Sequence, residues 1–198
     1  MRVKICGITR FEDAINAYKA GTDAIGFVFA ESKRNITIKE CAEIINNLPP
    51  FCYTVGVFRD NFKGEIWNTL KYCGLSCLQF HGNEDEDFCK SFGLPYIKAL
   101  SIKEKSDIDT IKNFPHTNNI LVDGQSPGSG QMFDHSLLEY IPAGKNIILA
   151  GGLNPDNLSS ILLLKNINAV DVSSGVEVEP GIKDIEKIKK FIKIAKGV

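Results

Sequence analysis

The sequence lacks the features that mark membrane, secreted and nucleic-acid-binding proteins. No apolar run approaches the roughly 20 residues that a membrane helix needs, and the start, MRVKICGITRFED, turns polar too soon for a secretory signal. The formal net charge of the 198 residues is only −1, which gives no general electrostatic attraction to nucleic acid or to an anionic membrane. We therefore expect a cytoplasmic protein with neither kind of partner.

The sequence also lacks the cysteine spacings of a metal site or a disulfide framework. There is no CxxC pair, no histidine cluster accompanies the cysteines, and the second half of the chain contains no cysteine at all. Free thiols in a reducing compartment are therefore expected, with no metal bound. The six cysteines are Cys6, Cys41, Cys52, Cys73, Cys77 and Cys89.

What the chain does contain is a regular alternation of short apolar segments and amphipathic segments. Its length predicts one domain, residues 1–198. Each apolar segment has the length of a buried strand and is followed by a turn and then by a helical pattern. The eight predicted strands cover residues 3–6, 24–29, 53–58, 77–80, 96–100, 119–123, 146–150 and 169–173.

Helical patterns follow all eight predicted strands. The last segment, KDIEKIKKFIKIAK, is basic and amphipathic, so a membrane-surface helix and an outer helix of the domain are both conceivable. Interspersed acidic residues favour the outer helix. The predicted helices cover residues 11–20, 37–48, 61–72, 83–92, 104–114, 134–140, 154–164 and 183–196.

Two α/β architectures fit this alternation of strands and helices. One is a closed (β/α)8 TIM barrel, with eight parallel strands in a compact single domain. The other is an open doubly wound sheet. The count of eight favours the barrel, and no G-x-G-x-x-G turn follows the first strand, which argues against a dinucleotide-binding sheet.

Two glycine-containing loops late in the chain have the composition of a phosphate site. Gly151-Gly152 follows the seventh strand and precedes a predicted helix, and Ser173-Ser174-Gly175 follows the eighth. Glycines let backbone N–H groups approach an anion, and barrels often bind phosphate at these two loops. Tight turns alone would explain each glycine, but the two loops together favour phosphate binding.

A set of motifs in order along nearly the whole chain resembles one enzyme family. The motifs are KICGIT, GFVFAESKRNI, LQFHG, LVDG…GSGQMFD, LAGGLNPDN and DVSSGVE…PGIKD. Together they resemble the phosphoribosylanthranilate isomerases of tryptophan biosynthesis. The sequence departs from that family at Gly124 and Pro127, where serine and glycine are usual.

The resemblance implies a cofactor-free Amadori rearrangement. N-(5-phosphoribosyl)anthranilate, an aminoaldose, becomes 1-(2-carboxyphenylamino)-1-deoxyribulose 5-phosphate, an aminoketose. By motif, Cys6 is the general base, Asp123 the general acid and Arg34 the ligand of the anthranilate carboxylate. The same resemblance assigns the phosphate to Gly151, Gly152, Ser173, Ser174 and Gly175. A small phosphosugar is then the partner, and the protein is a monomer or a homodimer.

Simpler interpretations exist for each of these residues. Cys6 could be a packed core thiol, Asp123 a turn residue after a strand, and Arg34 a solvated charge. His81 could be a further acid or base, or a hydrogen-bonded residue at the barrel top. A different phosphosugar enzyme, or a non-catalytic sensor of phosphorylated ligands, would keep the phosphate loops without needing Cys6 and Asp123.

Strand alternation predicts one buried ion pair. If Cys6 points into the barrel, then Lys4 does too, and if Ser173 points inward, so does Asp171. The first and last strands are neighbours in a closed barrel. We therefore expect Lys4 and Asp171 to pair below the substrate, since neither charge is stable when buried alone. Asp171 is also placed to contact a substrate hydroxyl.

Overall fold

The chain folds into a closed barrel of eight parallel strands, as the alternation predicts. The structure is a computed structural model that describes residues 1–124 and 135–197. Pro127 and the GSGQMFD motif lie outside the described residues. The strands are β1 (Arg2–Cys6), β2 (Ala24–Val28), β3 (Tyr53–Phe58), β4 (Cys77–Phe80), β5 (Tyr96–Ser101), β6 (Asn119–Asp123), β7 (Asn146–Ala150) and β8 (Ala169–Val172).

The strand order closes the barrel and excludes the open doubly wound sheet. Each strand pairs in parallel with its sequence neighbour, and β1 pairs with β8. Four predicted strands match at both ends, and the other four differ by one residue at one end. The short apolar segments predict the strands this well because every strand is buried on both faces.

The helices are less regular than the sequence pattern predicts. The segment predicted as a helix over 154–164 is helical for only four residues, and the segments at 104–114 and 134–140 form 3-10 helices over Lys105–Asn113 and His135–Tyr140. A further 3-10 turn spans Ser174–Val176. The α-helices are α1 (Phe11–Ala20), α2 (Ile38–Asn46), α3 (Lys63–Tyr72), α4 (Glu86–Lys90), α5 (Leu158–Ile161) and α6 (Ile185–Lys196).

Local signals set the ends of the longer helices. Helix α1 ends at Gly21, whose left-handed φ of 93° lets its N–H reach the last carbonyls of the helix. Helix α2 begins with a capping box, in which Thr37 accepts from the Glu40 N–H and Glu40 accepts from the Thr37 N–H. Asp184 caps the start of α6, where its side chain accepts from the Glu186 and Lys187 N–H groups.

Helix α6 confirms the prediction of an outer barrel helix. Its apolar stripe packs inward beside α1 and α5, and it buries Ile188, Phe191, Ile192 and Ala195. Its lysines point away from that stripe. No helix in the described part of the chain has the length and apolarity to cross a membrane.

A short antiparallel hairpin lies between β8 and α6, and the sequence analysis did not predict it. Strands β9 (Glu177–Glu179) and β10 (Ile182–Lys183) form it around Gly181. Lys183 was expected in the last helix but belongs to β10, because helix α6 begins only after the Asp184 cap. This places a buried lysine beside the barrel mouth.

Candidate active site

A cavity of about 320 Å³ opens at the carboxyl ends of the barrel strands. Inward-pointing side chains of the strands form its floor, and the loops after β2, β7 and β8 form its walls. Eight of the nine predicted site residues line it, namely Cys6, Arg34, Asp123, Gly151, Gly152, Asp171, Ser173 and Ser174. The residues selected from the sequence therefore come together from three strands (β1, β6 and β8) and three loops (after β2, β7 and β8).

Cys6 ends β1 with its thiol inside the barrel, next to Gly26 of the neighbouring strand. A Cβ at Gly26 would lie 2.9 Å from the Cys6 Sγ and 3.0 Å from the Lys4 Cε, so only glycine leaves room for both side chains. Burial raises the pKa of the Cys6 thiol above its ordinary value, and the Lys4 ammonium offsets part of that rise. The thiolate therefore depends on nearby positive charge.

The ion pair that strand alternation predicts is present. Lys4 and Asp171 face each other in register on β1 and β8, and the Lys4 Nζ donates to the Asp171 Oδ2 at 2.8 Å. Both side chains are buried, at 5% and 7% exposure. Although burial works against its charge, the Asp171 and Cys6 side chains hold the pKa of Lys4 above its ordinary value. The prediction of a buried pair below the cavity is confirmed.

Asp123 ends β6 and lines the same cavity, three strands from β1 around the closed barrel. Its Oδ2 lies 3.3 Å from the His81 Nε2, and the His81 Nδ1 lies 3.3 Å from the Gln79 Nε2. His81 thus joins the carboxylate to a glutamine that points into the barrel from β4. This contact agrees with the hydrogen-bonded alternative considered for His81.

Two buried acceptors in the cavity floor have no donor among the described residues. They are the Oδ1 of Asp171 and the Oε1 of Gln79. Buried polar atoms are normally hydrogen-bonded, so an unsatisfied pair beside a cavity is a specific feature of this floor. Hydroxyl groups of a ligand would satisfy such acceptors.

The two glycine-containing loops meet at one end of the cavity. Gly151 and Gly152 have φ values of 90° and 65°, which favour glycine, and the Asn157 side chain holds the Gly152 carbonyl at 2.9 Å. Gly175 does not line the cavity. A Cβ on it would lie 1.8 Å from the Leu153 carbonyl oxygen, so this glycine lets the two loops pack together.

The helix predicted after Gly151 and Gly152 is too short to supply a strong helix dipole at that loop. Helix α5 begins at Leu158 and is four residues long, because residues 155–157 form a turn instead of the first helical turn. A phosphate at Gly151 and Gly152 would therefore be held by backbone and hydroxyl groups of the loops, with little help from a helix.

Arg34 lines the cavity near Ser173, and its guanidinium is already paired with an acidic side chain. Its Nε and Nη2 donate to the two carboxylate oxygens of Glu177 at 2.8 and 2.7 Å. It also packs on Gly7, where a Cβ would lie 2.6 Å from the Arg34 Cδ. The guanidinium is therefore held from behind while its residue lines the cavity.

Sequence reasoning missed Glu177 and Lys183, the two buried charges behind Arg34. The run EVEPGIK carries a turn signal, Pro180-Gly181, between two short segments, which is typical of a hairpin. That signal was available, but the helical periodicity after it extended the predicted helix back to Lys183. Arg59, a further cation at the cavity, was also not identified.

Together, the fold and the site define a (β/α)8-barrel enzyme whose cavity holds a thiol and a carboxylate on strands three apart. The profile of the family described as N-(5'phosphoribosyl)anthranilate (PRA) isomerase matches residues 3–194. The chain therefore belongs to the N-(5'-phosphoribosyl)anthranilate isomerase family.

Individual relatives cover the whole chain. An N-(5'-phosphoribosyl)anthranilate isomerase of Pelobacter propionicus is 42% identical over 99% of this chain and 96% of its own length. One of Pseudomonas fluorescens is 46% identical over 97% of each. A crystal structure of the Thermotoga maritima enzyme has a TM-score of 0.90 at 41% identity, with both chains fully covered.

One solved relative contains a ligand. It is a phosphoribosylanthranilate isomerase in complex with reduced 1-(o-carboxyphenylamino)-1-deoxyribulose 5-phosphate, with a TM-score of 0.87 at 39% identity over the whole of both chains. Another structure is of monomers generated from the dimeric Thermotoga maritima enzyme. The bound ligand and the dimer are properties of those two proteins.

Proposed function

We propose that this chain catalyses the Amadori rearrangement of N-(5-phosphoribosyl)anthranilate, with Cys6 as general base and Asp123 as general acid. The observation that carries the assignment is that both side chains line one cavity from strands three apart around the barrel. An acid and a base that serve different atoms of one substrate need such a separation. The reaction is a step of tryptophan biosynthesis.

The first step is ring opening. Asp123 donates a proton to the furanose ring oxygen, the bond between that oxygen and carbon 1 breaks, and the anilino nitrogen supplies the electron pair that forms the Schiff base. The carboxyl group must therefore be protonated when the substrate binds. His81, at 3.3 Å, holds this carboxyl group in place on the side away from β1.

The second step is proton removal from carbon 2 of the ribose. The Cys6 thiolate takes the proton, and the electron pair moves through the Schiff base to its nitrogen, which gives an enolamine that tautomerises to the ketone. The positively charged Schiff base and the Lys4 ammonium both favour the thiolate over the thiol. The two protons are handled by side chains of this chain, and the steps call for no cofactor.

Each charged or polar group of the substrate has a proposed partner in the cavity. Arg34 follows β2 and meets the anthranilate carboxylate, while Gly151, Gly152, Ser173 and Ser174 hold the phosphate, with Gly175 keeping their loops together. The Oδ1 of Asp171 accepts a hydrogen bond from a ribose hydroxyl. The reacting carbons then lie between Cys6 and Asp123.

The proposal extends to the organisation of the protein. Residues 1–198 act as one catalytic domain, since β1 at the start closes the barrel with β8 and α6 packs on α1. The protein works in the cytoplasm as a monomer or a homodimer, without nucleic acid as a partner. The dimeric relative supports the homodimer as one of these two states.

The proposal is tested by following the fluorescent substrate. Phosphoribosylanthranilate is made in situ from anthranilate and phosphoribosyl pyrophosphate by the transferase that forms it, and its loss is recorded after the protein is added. We expect the wild-type protein to catalyse loss of the substrate, and Cys6→Ala and Asp123→Asn to catalyse almost none. Both variants should still bind a reduced product analogue, because neither side chain holds the carboxylate or the phosphate.

Two results would contradict the assignment. Folded wild-type protein that leaves the substrate untouched would favour a different phosphosugar enzyme or a sensor of phosphorylated ligands. Near-normal turnover by Cys6→Ala or by Asp123→Asn would remove that residue from its proposed role, with the fold and the family unaffected.

A further inference from the structure

Two buried charged side chains, Glu177 and Lys183, lie behind the site and take no direct part in the proposed reaction. They belong to the β9–β10 hairpin, at 4% and 1% side-chain exposure. Neither lines the cavity. Buried charges of this kind are rare unless they are paired and hydrogen-bonded, so their arrangement calls for an explanation.

Glu177 holds Arg34 by two parallel hydrogen bonds. The Nε and Nη2 groups of Arg34 donate to the Oε1 and Oε2 of Glu177 at 2.8 and 2.7 Å, a geometry that fixes the plane of the guanidinium. These two hydrogen bonds use one edge of the planar Arg34 guanidinium. The other edge, formed by Nη1 and the second N–H of Nη2, donates to no side chain or backbone oxygen within the described residues.

Lys183 neutralises Glu177 and ties it to the rest of the site. Its Nζ donates to the Glu177 Oε1 at 2.7 Å, to the Cys6 carbonyl at 2.6 Å and to the Ser173 carbonyl at 3.3 Å. The carboxylate is therefore shared between two cations, which keep the pKa of Glu177 below its ordinary value despite the burial that raises it. Arg34, Glu177 and Lys183 together carry one net positive charge.

The hairpin itself is anchored to the start of the chain. The Thr9 hydroxyl donates to the Gly181 carbonyl at 2.6 Å, and the Lys183 backbone N–H donates to the Asp13 Oδ2 at 3.1 Å. Gly181 also donates its N–H to the Glu177 Oε1 at 3.3 Å. Glu177 is thus held on a rigid support, and so is the guanidinium that it grips.

We propose that Glu177 is a positioning residue for the substrate carboxylate, because it fixes Arg34 with the free edge of its guanidinium towards the cavity. The inference rests on the proposed function, in which Arg34 binds that carboxylate. The free edge carries two N–H groups that match the two oxygens of a planar carboxylate. Binding of the carboxylate then balances the one net positive charge of the cluster, so a ligand without that group gains nothing from the arrangement.

The experiment compares two ligands across a small set of variants. One ligand is the reduced product analogue with its ring carboxylate, and the other is the same molecule made from aniline, which lacks that group. Dissociation constants are measured by titration calorimetry for the wild type, Glu177→Asp, Glu177→Gln and Arg34→Met. Glu179→Gln is the matched control, because Glu179 lies on the same hairpin with its side chain exposed.

We expect the Glu177 variants to lose affinity for the carboxylate ligand alone. Loss of a charge-assisted hydrogen bond corresponds to roughly 10- to 100-fold in affinity. The affinity for the aniline ligand should change by less than about threefold, which is well below that range. In the Arg34→Met background, Glu177→Asp should produce no further loss. Glu179→Gln should leave both affinities unchanged.

The variants also separate positioning from folding. Glu177→Gln leaves the buried Lys183 without its counter-ion and is the variant more at risk of unfolding, whereas Glu177→Asp keeps the charge and shortens the reach by one methylene. The melting temperature of each variant is recorded. If the Glu177 variants weaken both ligands equally, or if neither changes the ratio of the two affinities, the positioning role is overturned.

Failure of the proposed function gives a different result. If Arg34→Met itself does not change the ratio of the two affinities, Arg34 does not bind the carboxylate, and the assignment on which this inference rests is wrong. If Arg34→Met changes the ratio and the Glu177 variants do not, the carboxylate assignment stands and only the positioning role fails.

Discussion

Replacing Lys4 by methionine tests how the buried pair below the cavity serves both stability and the thiol. The substitution keeps most of the unbranched apolar stem of the side chain and removes the ammonium that donates to Asp171 at 2.8 Å. It leaves Asp171, 7% exposed and already with one unsatisfied oxygen, as an isolated buried carboxylate. Removing one partner of such a pair costs about 3–5 kcal/mol of unfolding free energy.

A double variant distinguishes the cost of leaving one buried charge unpaired from the contribution of the ion pair itself. In the double variant Lys4→Met/Asp171→Leu, both charges are gone, and an apolar pair of similar volume is expected to recover most of the lost stability. Urea unfolding followed by circular dichroism at neutral pH gives the three free energies. A loss below about 1 kcal/mol in Lys4→Met, or a double variant that is no more stable than Lys4→Met alone, would refute the buried-pair reasoning.

The same variant should also change the titration of Cys6. Because Lys4 is the strongest influence lowering the pKa of this thiol, its removal should shift alkylation of Cys6 by iodoacetamide to higher pH. Lys98→Met is the matched control, since Lys98 is equally buried and pairs with Glu84 at 2.9 Å, away from Cys6. Equal shifts in both variants would mean that the effect comes from loosened folding rather than from the Lys4 charge.

Three further predictions concern other parts of the barrel. Gly26→Ala would place a Cβ 2.9 Å from the Cys6 Sγ and displace the thiol. We therefore expect turnover to fall roughly 10- to 100-fold while binding of the product analogue is kept. Unchanged turnover would contradict the packing argument. Gly175→Ala would force apart the two glycine-containing loops, which are proposed to hold the phosphate, and should therefore weaken competitive inhibition by inorganic phosphate. Gly64→Ala, with open space around Gly64, should leave this inhibition unchanged, and equal inhibition constants for the two variants would show that contact between the loops is unimportant. Burial raises the pKa of Cys77 from 9.0 to about 11, so the folded protein holds this proton more tightly than the unfolded chain does. The neutral Cys77 thiol therefore contributes about 2–3 kcal/mol to the free energy of unfolding. This contribution is fully present below pH 9 and is lost as the pH rises to about 11. Urea unfolding at several pH values should show a shallower decline in Cys77→Ala, and an identical decline would count against the shift.

The strands and their inward or outward alternation could be predicted from the sequence because both depend on local composition. Alternation placed Lys4 and Cys6 on one face of β1, and closure of the barrel brought Asp171 opposite Lys4. The first step needs only the alternation of side chains along a strand, and the second needs only the order of the strands in the barrel. The family motifs then selected residues that line one cavity, although their chemical roles are a matter for the variants above.

The parts that sequence reasoning missed depend on contacts between distant segments. Lys183 fits the periodicity of the last helix, but its buried bonds to Cys6 and Glu177 hold it in the hairpin instead. Helix α5 is shorter than its apolar pattern suggests, because two asparagine side chains hydrogen-bond to the backbone before it. The Asn154 Oδ1 accepts from the Asp156 and Asn157 N–H groups, and the Asn157 side chain donates to the Gly152 carbonyl. Such contacts override local propensity and leave little trace in spacing.

The separation of acid and base is the central claim, and an isotope effect tests it most directly. Substrate with deuterium at carbon 2 of the ribose is compared with unlabelled substrate in the residual turnover of Cys6→Ser and Asp123→Asn. If Cys6 removes that proton, its variant makes proton removal rate-limiting, and a large isotope effect is expected. If Asp123 opens the ring, its variant makes the earlier step limiting, and the isotope effect should approach unity. The same isotope effect in both variants, or the reverse order, would contradict the assignment of base and acid.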